Sequence, residues 1–194
     1  MGVLGVILAG GASVRMGTDK AQLAVAGTPM LERVAAAMSG AVDEAVVVGR
    51  ADSDVGYRSV PDLRPAHRGP LAGLASAMPL SGGRSVLLLA VDQPLVRTET
   101  LAALVALDRP DQAVIPIDDD ARQVTCAVYP AAWKDEIDAE DERSGSIQSL
   151  LDRLDYRPVL RREWESWGED GRSWRSLDTP EDVAAAERLL GGSR

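Results

Sequence analysis

The sequence contains no phenylalanine, one cysteine and one histidine, and aromatic residues make up only 4% of it. A single cysteine, Cys126, cannot form a disulfide within the chain and gives no basis for a thiolate metal cluster. It lies in an apolar run, so we predict a buried core residue. Because no cysteine or serine constellation surrounds His67, we predict a loop residue there rather than a general base. The core must instead be built from aliphatic side chains.

The sequence also lacks an excess of positive charge and any long hydrophobic run. Its formal net charge is −9, whereas a nucleic acid or an anionic membrane requires a basic surface. No apolar stretch approaches the ~20 residues of a membrane helix, and the apolar opening residues carry no basic segment. We therefore expect a soluble, cytoplasmic protein with no nucleic-acid partner and no membrane partner. A few local basic residues could still hold a phosphorylated small substrate.

Continuous apolar runs recur along the chain and predict strands that are buried on both faces of a parallel sheet. They occupy residues 3–9, 44–48, 85–91 and 113–117. Between them, helical spacing and capping signals predict helices. These cover residues 28–40, 70–78, 98–107 and, after an N-cap at Thr179, the segment that begins with Pro180. The alternation predicts an α/β sandwich with a mostly parallel sheet. The length of 194 residues suits one domain, residues 1–194.

The later third of the chain is less regular. Residues 124–129 are typical of a strand that could run antiparallel, and residues 147–154 of a short helix. Residues 161–175 are charged and rich in tryptophan, and their pattern favours neither a helix nor a strand.

A glycine-rich loop follows the first predicted strand. Gly10, Gly11 and Gly17 permit close backbone approach, so that successive amide groups can surround a phosphate chain. Arg15 and Lys20 add a planar fork and a mobile point charge for phosphate oxygens. The segment matches neither the Walker A pattern nor G-x-G-x-x-G. Two cations beside these glycines favour a phosphate-binding loop over a plain turn.

Carboxylates follow two of the predicted strands. Asp92 directly follows the apolar run at 85–91, so it would lie over the same crevice as the glycine loop. There its carboxylate could bind Mg²⁺. The alternative is an aspartate that only begins a turn before Pro94. Asp62 follows a short strand at 58–60 and precedes Gly69, where a helix starts and close approach to a ligand is plausible. For Asp178, a pre-cap acid is favoured over a second metal ligand.

Together these segments resemble the molybdenum cofactor guanylyltransferases, the MobA family of the nucleotidyltransferase superfamily. The resemblance spans nearly the whole chain in the family's order. It is carried by Leu8-Ala9-Gly10-Gly11, Arg15-Met16-Gly17, Asp19-Lys20, Gly69-Pro70-Leu71-Ala72-Gly73, Asp92-x-Pro94 and Asp178-Thr179-Pro180-Glu181-Asp182. In two places the chain departs from the family pattern: Asp178 stands where an asparagine is usual, and the stretch before Cys126 lacks a His-Pro pair.

The resemblance implies a single-domain, Rossmann-like three-layer fold and a nucleotidyltransferase domain that joins GMP from GTP to molybdopterin and releases pyrophosphate. By position, nucleotide-binding residues would be Leu8, Ala9, Gly10, Gly11, Lys20, Asp62, Gly69 and Asp92. Catalytic residues would be Arg15, Lys20 and Asp92, with Mg²⁺ on Asp92. Gly10 would leave room for a purine. Transient contact with molybdoenzyme chaperones or apoenzymes and a monomeric state are expected.

Three other functions stay open on the sequence. The chain could transfer CMP to molybdopterin, or GMP to another small phosphorylated acceptor. A non-catalytic nucleotide sensor of the same fold is disfavoured, because both Lys20 and Asp92 are present.

Overall fold

In the computed structural model, which describes residues 2–10, 19–50, 55–61 and 69–191, strands and helices alternate along the chain. The strands are β1 (Val3–Leu8), β2 (Ala24–Val25), β3 (Thr28–Pro29), β4 (Glu44–Val48), β5 (Arg58–Val60), β6 (Ser85–Ala90), β7 (Ala113–Asp118), β8 (Ala121–Arg122), β9 (Cys126–Tyr129) and β10 (Tyr156–Val159). The α-helices are α1 (Met30–Ser39), α2 (Pro70–Ala77), α3 (Thr98–Ala106), α4 (Lys134–Glu142), α5 (Ile147–Leu151), α6 (Arg161–Glu165) and α7 (Pro180–Gly191).

One mixed sheet organises the molecule, in the order β10-β7-β9-β6-β1-β4-β5. Strand β8 pairs with the last two residues of β7. The β1–β4, β1–β6, β4–β5 and β7–β10 pairs are parallel. Strand β9 runs antiparallel to both β6 and β7. The predicted mostly parallel sheet and the antiparallel strand before Tyr129 are both confirmed. The carboxyl ends of the parallel strands therefore meet at one edge of the sheet.

Both faces of the sheet are covered, which makes three layers. On β1, Ile7 points into the cluster that contains the buried residues of α1, α3 and α7. Its neighbour Val6 points into the opposite cluster, with α2, α4 and α5. Because side chains alternate along a strand, an uninterrupted apolar run is what two covered faces require. The continuous runs in the sequence are thereby explained, and the predicted three-layer fold is confirmed.

The first helix begins later than the sequence predicts. We expected Pro29 at its first position, but Thr28 and Pro29 pair with Val25 and Ala24 as a short antiparallel ladder. Helix α1 starts at Met30, whose amide donates to the carbonyl of Leu23 at 2.9 Å. The tight turn through Ala26 and Gly27, both with positive φ, makes this hairpin possible. The predicted end at Gly40 is confirmed.

The last helix carries the predicted cap. The amide of Asp182 donates to the Thr179 hydroxyl at 3.2 Å, and the amide of Thr179 donates to Asp182 Oδ2 at 2.9 Å. Each residue thus satisfies an amide of the other, as in a capping box. The amide of Asp178 donates to the same carboxylate oxygen at 3.1 Å. This end of the chain is therefore held firmly in place.

The tryptophan-rich segment, whose sequence pattern favours neither a helix nor a strand, completes one face of the core. Trp164 and Trp174 are buried and meet edge to face, with ring centroids 5.1 Å apart. Their indole N–H groups donate to Ile117 O and to Asp118 Oδ2, each at 3.0 Å. Cys126 is buried as predicted, and burial raises the pKa of its thiol to about 12. Within the described ranges, none of the helices has the length and apolar character needed to cross a membrane.

Candidate functional site

Backbone pairing continues past the strand ends and fixes the positions of the loops that follow them. The amide of Ala9 donates to Val48 O at 2.9 Å, and that of Val91 donates to Leu8 O at 3.0 Å. Strand β1 is therefore held between β4 and β6 up to the start of the glycine loop. Asp92, the next residue after Val91, lies over the carboxyl edge of the sheet, where open α/β folds place their ligands.

Lys20, Asp92 and Asp178 meet at this edge. The Lys20 ammonium group donates to Asp178 Oδ1 at 2.6 Å and to Asp92 Oδ2 at 3.2 Å. The three side chains, which we call the charge cluster, come from the end of the glycine loop, the end of β6 and the segment before α7. The prediction that Lys20 and Asp92 share one crevice is confirmed. The sequence favoured a pre-cap acid at Asp178, but its carboxylate also belongs to the charge cluster.

Protonation in the charge cluster is set by burial and by charge. Partial burial works to lower the pKa of Lys20, but hydrogen bonds to Asp178 and Asp92 outweigh it and raise that pKa. Burial raises the pKa of Asp92, and the charge of Lys20 offsets this rise only in part, while Asp178 adds to it. The lysine therefore stays charged, and Asp92 would gain from further positive charge nearby.

Asp19 and Arg50 fix the backbone that carries Lys20. Asp19 caps the short 3-10 turn Lys20–Gln22, accepting from the Ala21 amide at 3.1 Å. Its other carboxylate oxygen accepts from Arg50, which follows β4, at 2.5 Å. A cap and an ion pair thus converge on one residue, and together they limit where Lys20 can reach. Arg50 could not be selected from the sequence, because a lone arginine in a loop is common.

Gly10 and Gly49 make a close backbone contact at the start of the glycine loop. A Cβ atom built on Gly10 would lie 2.9 Å from the Cα of Gly49, and one built on Gly49 would lie 2.4 Å from the Cα of Gly10. Gly49 also has φ of +95°, a conformation that favours glycine. The loop after β4 occupies the space beside Gly10, which is a reason for glycine in addition to the expected room for a purine. That expectation remains a prediction.

The two glycines at the start of α2 have separate roles. Gly69 has φ of +80°, and among the described residues no atom lies within 4 Å of the position of its missing Cβ, so its backbone conformation accounts for the glycine. A Cβ on Gly73 would lie 2.5 Å from Leu8 Cδ2. Helix α2 can therefore approach the end of β1 closely. The close approach at this end of β1 is therefore between Gly73 and Leu8.

The charge cluster suits a hard cation. Mg²⁺ in proteins takes one or two carboxylates together with substrate phosphates. Asp92 and Asp178 present two carboxylates to one point, at which Lys20 Nζ now lies. Within the described part of the chain, no group of three or more potential metal ligands is present, so substrate oxygens would have to complete the coordination. The residues therefore fit a magnesium ion.

Some predicted residues fall outside the described ranges. They are Gly11, Arg15, Gly17, Asp62 and His67. Their assignments remain predictions. Of the residues that the structure does describe, Leu8, Ala9, Gly10, Lys20 and Asp92 lie at the carboxyl edge, and Gly69 directly precedes α2. Gly49 and Arg50 are additions made by the structure, which also brings Asp178 to Lys20.

Comparison with known proteins identifies relatives along most of the chain. Residues 5–159 match the family model described as the MobA-like NTP transferase domain. A probable molybdenum cofactor guanylyltransferase from Haloferax mediterranei is 36% identical over 175 residues, covering 81% of this chain and 83% of that protein. One from Bacillus licheniformis, also described as probable, is 33% identical over 196 residues, covering 96% and 97% respectively.

A solved structure shares the same architecture. The molybdopterin-guanine dinucleotide biosynthesis protein A from Archaeoglobus fulgidus superimposes with a TM-score of 0.83 at 22% identity. The match covers 98% of this chain and 100% of that one. The three-layer arrangement, including the segment after residue 159, is therefore common to both folds.

Proposed function

Because the chain belongs to the MobA-like NTP transferase family, we propose that it transfers GMP from GTP to the terminal phosphate of a molybdopterin-type acceptor, releasing pyrophosphate and forming a guanine dinucleotide cofactor. The observation that carries the proposal is the charge cluster of Lys20, Asp92 and Asp178, beside the loop that begins at Gly10. The relatives whose names describe molybdenum cofactor guanylyltransferases support the choice of nucleotide and acceptor.

The proposed step is an in-line attack of the acceptor phosphate on the α-phosphorus of GTP. A phosphate monoester has a second pKa near ~6, so its oxygen is already an anion at neutral pH and needs no general base. As the bond between the acceptor oxygen and the α-phosphorus forms, the bond from the α-phosphorus to the α–β bridging oxygen breaks. Pyrophosphate leaves with the electron pair of that bond and so with its negative charge. What the protein must supply is alignment and positive charge.

Lys20 supplies part of that charge. Its pKa is raised, so it remains an ammonium group at neutral pH and can follow the phosphates on a flexible stem. We further propose that Asp92 holds Mg²⁺, with the Asp178 carboxylate beside it as a second oxygen donor. When bound, that ion supplies charge neutralisation at the reacting phosphate. Arg15 is proposed to stabilise the departing pyrophosphate.

Guanine selection is proposed to rest on hydrogen bonds. Guanine presents two donors, N1–H and the 2-amino group, beside the acceptor O6. An ionised Asp62 would accept from both donors, and backbone amides near Gly10 would donate to O6. Cytosine or adenine would leave such groups unpaired, and sites of this kind can discriminate by about 10⁴ or more.

The test is pyrophosphate release with GTP, CTP or ATP at equal concentration, with and without molybdopterin. We expect release with GTP and molybdopterin together, and far less with either alternative nucleotide. Faster release with CTP would replace the guanylyl assignment by a cytidylyl one. Release with GTP only in the presence of another phosphorylated acceptor would move the proposal to that acceptor. No release under any condition would overturn nucleotidyl transfer itself.

A further inference from the structure

Gln93 is a buried polar side chain immediately after Asp92. It is 1% exposed. Its Nε2 donates to the carbonyl oxygen of Trp174 at 3.1 Å. Its Oε1 accepts from the amide of Ala90 at 3.4 Å, although that amide already donates to Thr125 O at 3.0 Å. The contact that depends on Gln93 is therefore the one to Trp174. An apolar side chain could be buried here without needing hydrogen-bond partners, so the presence of a polar amide indicates that its hydrogen bond has a role.

The carbonyl that Gln93 binds belongs to the segment that delivers Asp178. Three residues beyond Trp174, the amide of Leu177 donates to the carbonyl oxygen of Asp92 at 2.8 Å. The segment is thus attached to the Asp92–Gln93 turn at two points, one through a side chain and one through the backbone. The next residue is Asp178, whose carboxylate meets that of Asp92 at Lys20.

A buried carboxylate anchors the other end of this segment. Glu169 is 3% exposed, and its Oε1 accepts from the amides of Asp170, Gly171 and Ser173 at 3.0, 2.8 and 3.3 Å. Its Oε2 accepts from the hydroxyls of Thr100 and Ser173. The segment is therefore seated firmly against α3 before it reaches Trp174. With one end fixed in this way, the Gln93 contact and the Leu177 bond together set how the other end meets Asp92.

We propose that Gln93 is a positioning residue, which through Trp174 sets where Asp178 stands relative to Asp92 around Lys20. The inference rests on the proposed function for its effect on turnover, but not for its effect on the segment. Loss of the contact would let residues 175–178 shift away from the Asp92 turn. Because a displacement of ~1 Å in a reacting arrangement can cost about 100-fold in rate, the contact would matter for turnover more than for nucleotide binding.

The experiment compares Gln93→Met with the matched variant Trp133→Phe. Methionine has a similar length and suits a buried place, but it cannot donate to Trp174. Trp133→Phe also removes one side-chain N–H bond to a backbone carbonyl, that of Asp111 at 3.0 Å, before the start of β7 and so at the opposite edge of the sheet. Three quantities are measured in each variant: kcat and KM for GTP in pyrophosphate release, and the rate of hydrogen exchange at the Leu177 amide.

In Gln93→Met we expect kcat to fall roughly 10- to 100-fold, with KM for GTP changed by less than about threefold, and the Leu177 amide to exchange faster. Trp133→Phe should leave kcat, KM and the exchange rate of the Leu177 amide near their wild-type values. Unchanged Leu177 exchange, or a raised KM with normal kcat, would overturn the proposal. If Gln93→Met does not fold, Gln93→Asn, which keeps the amide but is too short to reach Trp174, takes its place. An inactive wild-type protein would refute the proposed function, while Leu177 exchange would still decide the role of Gln93.

Discussion

The ammonium group of Lys20 lies 2.6 Å from Asp178 Oδ1, although the two residues are 158 positions apart in the sequence. It is 3.2 Å from Asp92 Oδ2. One lysine therefore pairs with two carboxylates that belong to distant parts of the chain. Removal of any of the three changes the charge that the other two experience, and this gives distinct expectations for each variant.

Lys20→Ala should weaken GTP binding by roughly 10- to 100-fold, since losing a charged hydrogen bond of this kind costs about 1.5–3 kcal/mol. The substitution also leaves Asp92 and Asp178 facing the phosphates with no lysine between them. Titration calorimetry measures the affinity, with Lys134→Ala as the control, because that lysine pairs with Asp138 on α4. Arg15→Ala should behave like Lys20→Ala. Wild-type affinity in both variants would mean that the phosphates bind elsewhere.

Asp92→Asn should reduce turnover by about 100-fold or more, since it removes the charge that would hold the metal without changing the size of the side chain. Asp178→Asn should reduce turnover less, because asparagine is usual at this position in the molybdenum cofactor guanylyltransferases that the chain resembles. Thermal unfolding is followed in the same samples, and both variants should remain folded. Near-normal turnover in Asp92→Asn would remove this residue from the mechanism. A larger loss in Asp178→Asn would make Asp178 the principal ligand.

Gly49→Ala should destabilise the protein and weaken GTP binding, because its Cβ would lie 2.4 Å from the Cα of Gly10. Overpacking of this kind costs about 1–3 kcal/mol, beyond the backbone strain of a positive φ. Gly83→Ala separates the two effects: Gly83 has φ of +84°, and none of the residues that the structure describes lies within 4 Å of its missing Cβ. Denaturant unfolding and calorimetry test both variants. Equal behaviour of the two would show that the contact with Gly10 carries no weight.

Glu140 should govern stability in acid. Hydrogen bonds from Ser149 and Arg143, together with the charge of Arg153, lower the pKa of Glu140 from 4.5 to about 2. A depressed pKa in the folded state stabilises the protein above pH 4.5, and this stabilisation is lost as the pH falls towards 2.

Unfolding free energies of wild type and Glu140→Gln, measured across that interval, should converge as the pH decreases. A difference that is constant with pH would mean that the ionisation of Glu140 is not linked to folding.

The sequence predicts the sheet and its crevice well, because buried parallel strands produce uninterrupted apolar runs and their carboxyl ends must share one edge. It failed at Pro29, where the hairpin pairing of Thr28 with Val25 prevails over a local helix-start signal. The hydrogen bonds of Glu169 to Thr100 and of Gln93 to Trp174 could not be predicted, because each joins segments that are distant along the chain. Nor could the sequence settle Asp178, because a pre-cap acid and a lysine partner look alike in sequence.

The position of Asp178 also has a consequence for how the protein is made. Residues 5–159 match the family model, and β10 ends at Val159, so every strand of the sheet precedes the residue that completes the charge cluster. On the ribosome, the strands can be synthesised in full while Lys20 still lacks its contact with Asp178. The full cluster forms only after the segment between β10 and α7 has emerged and Leu177 has bonded to Asp92. Competence for the proposed reaction therefore arrives only after the sheet is complete, when the segment before α7 has docked.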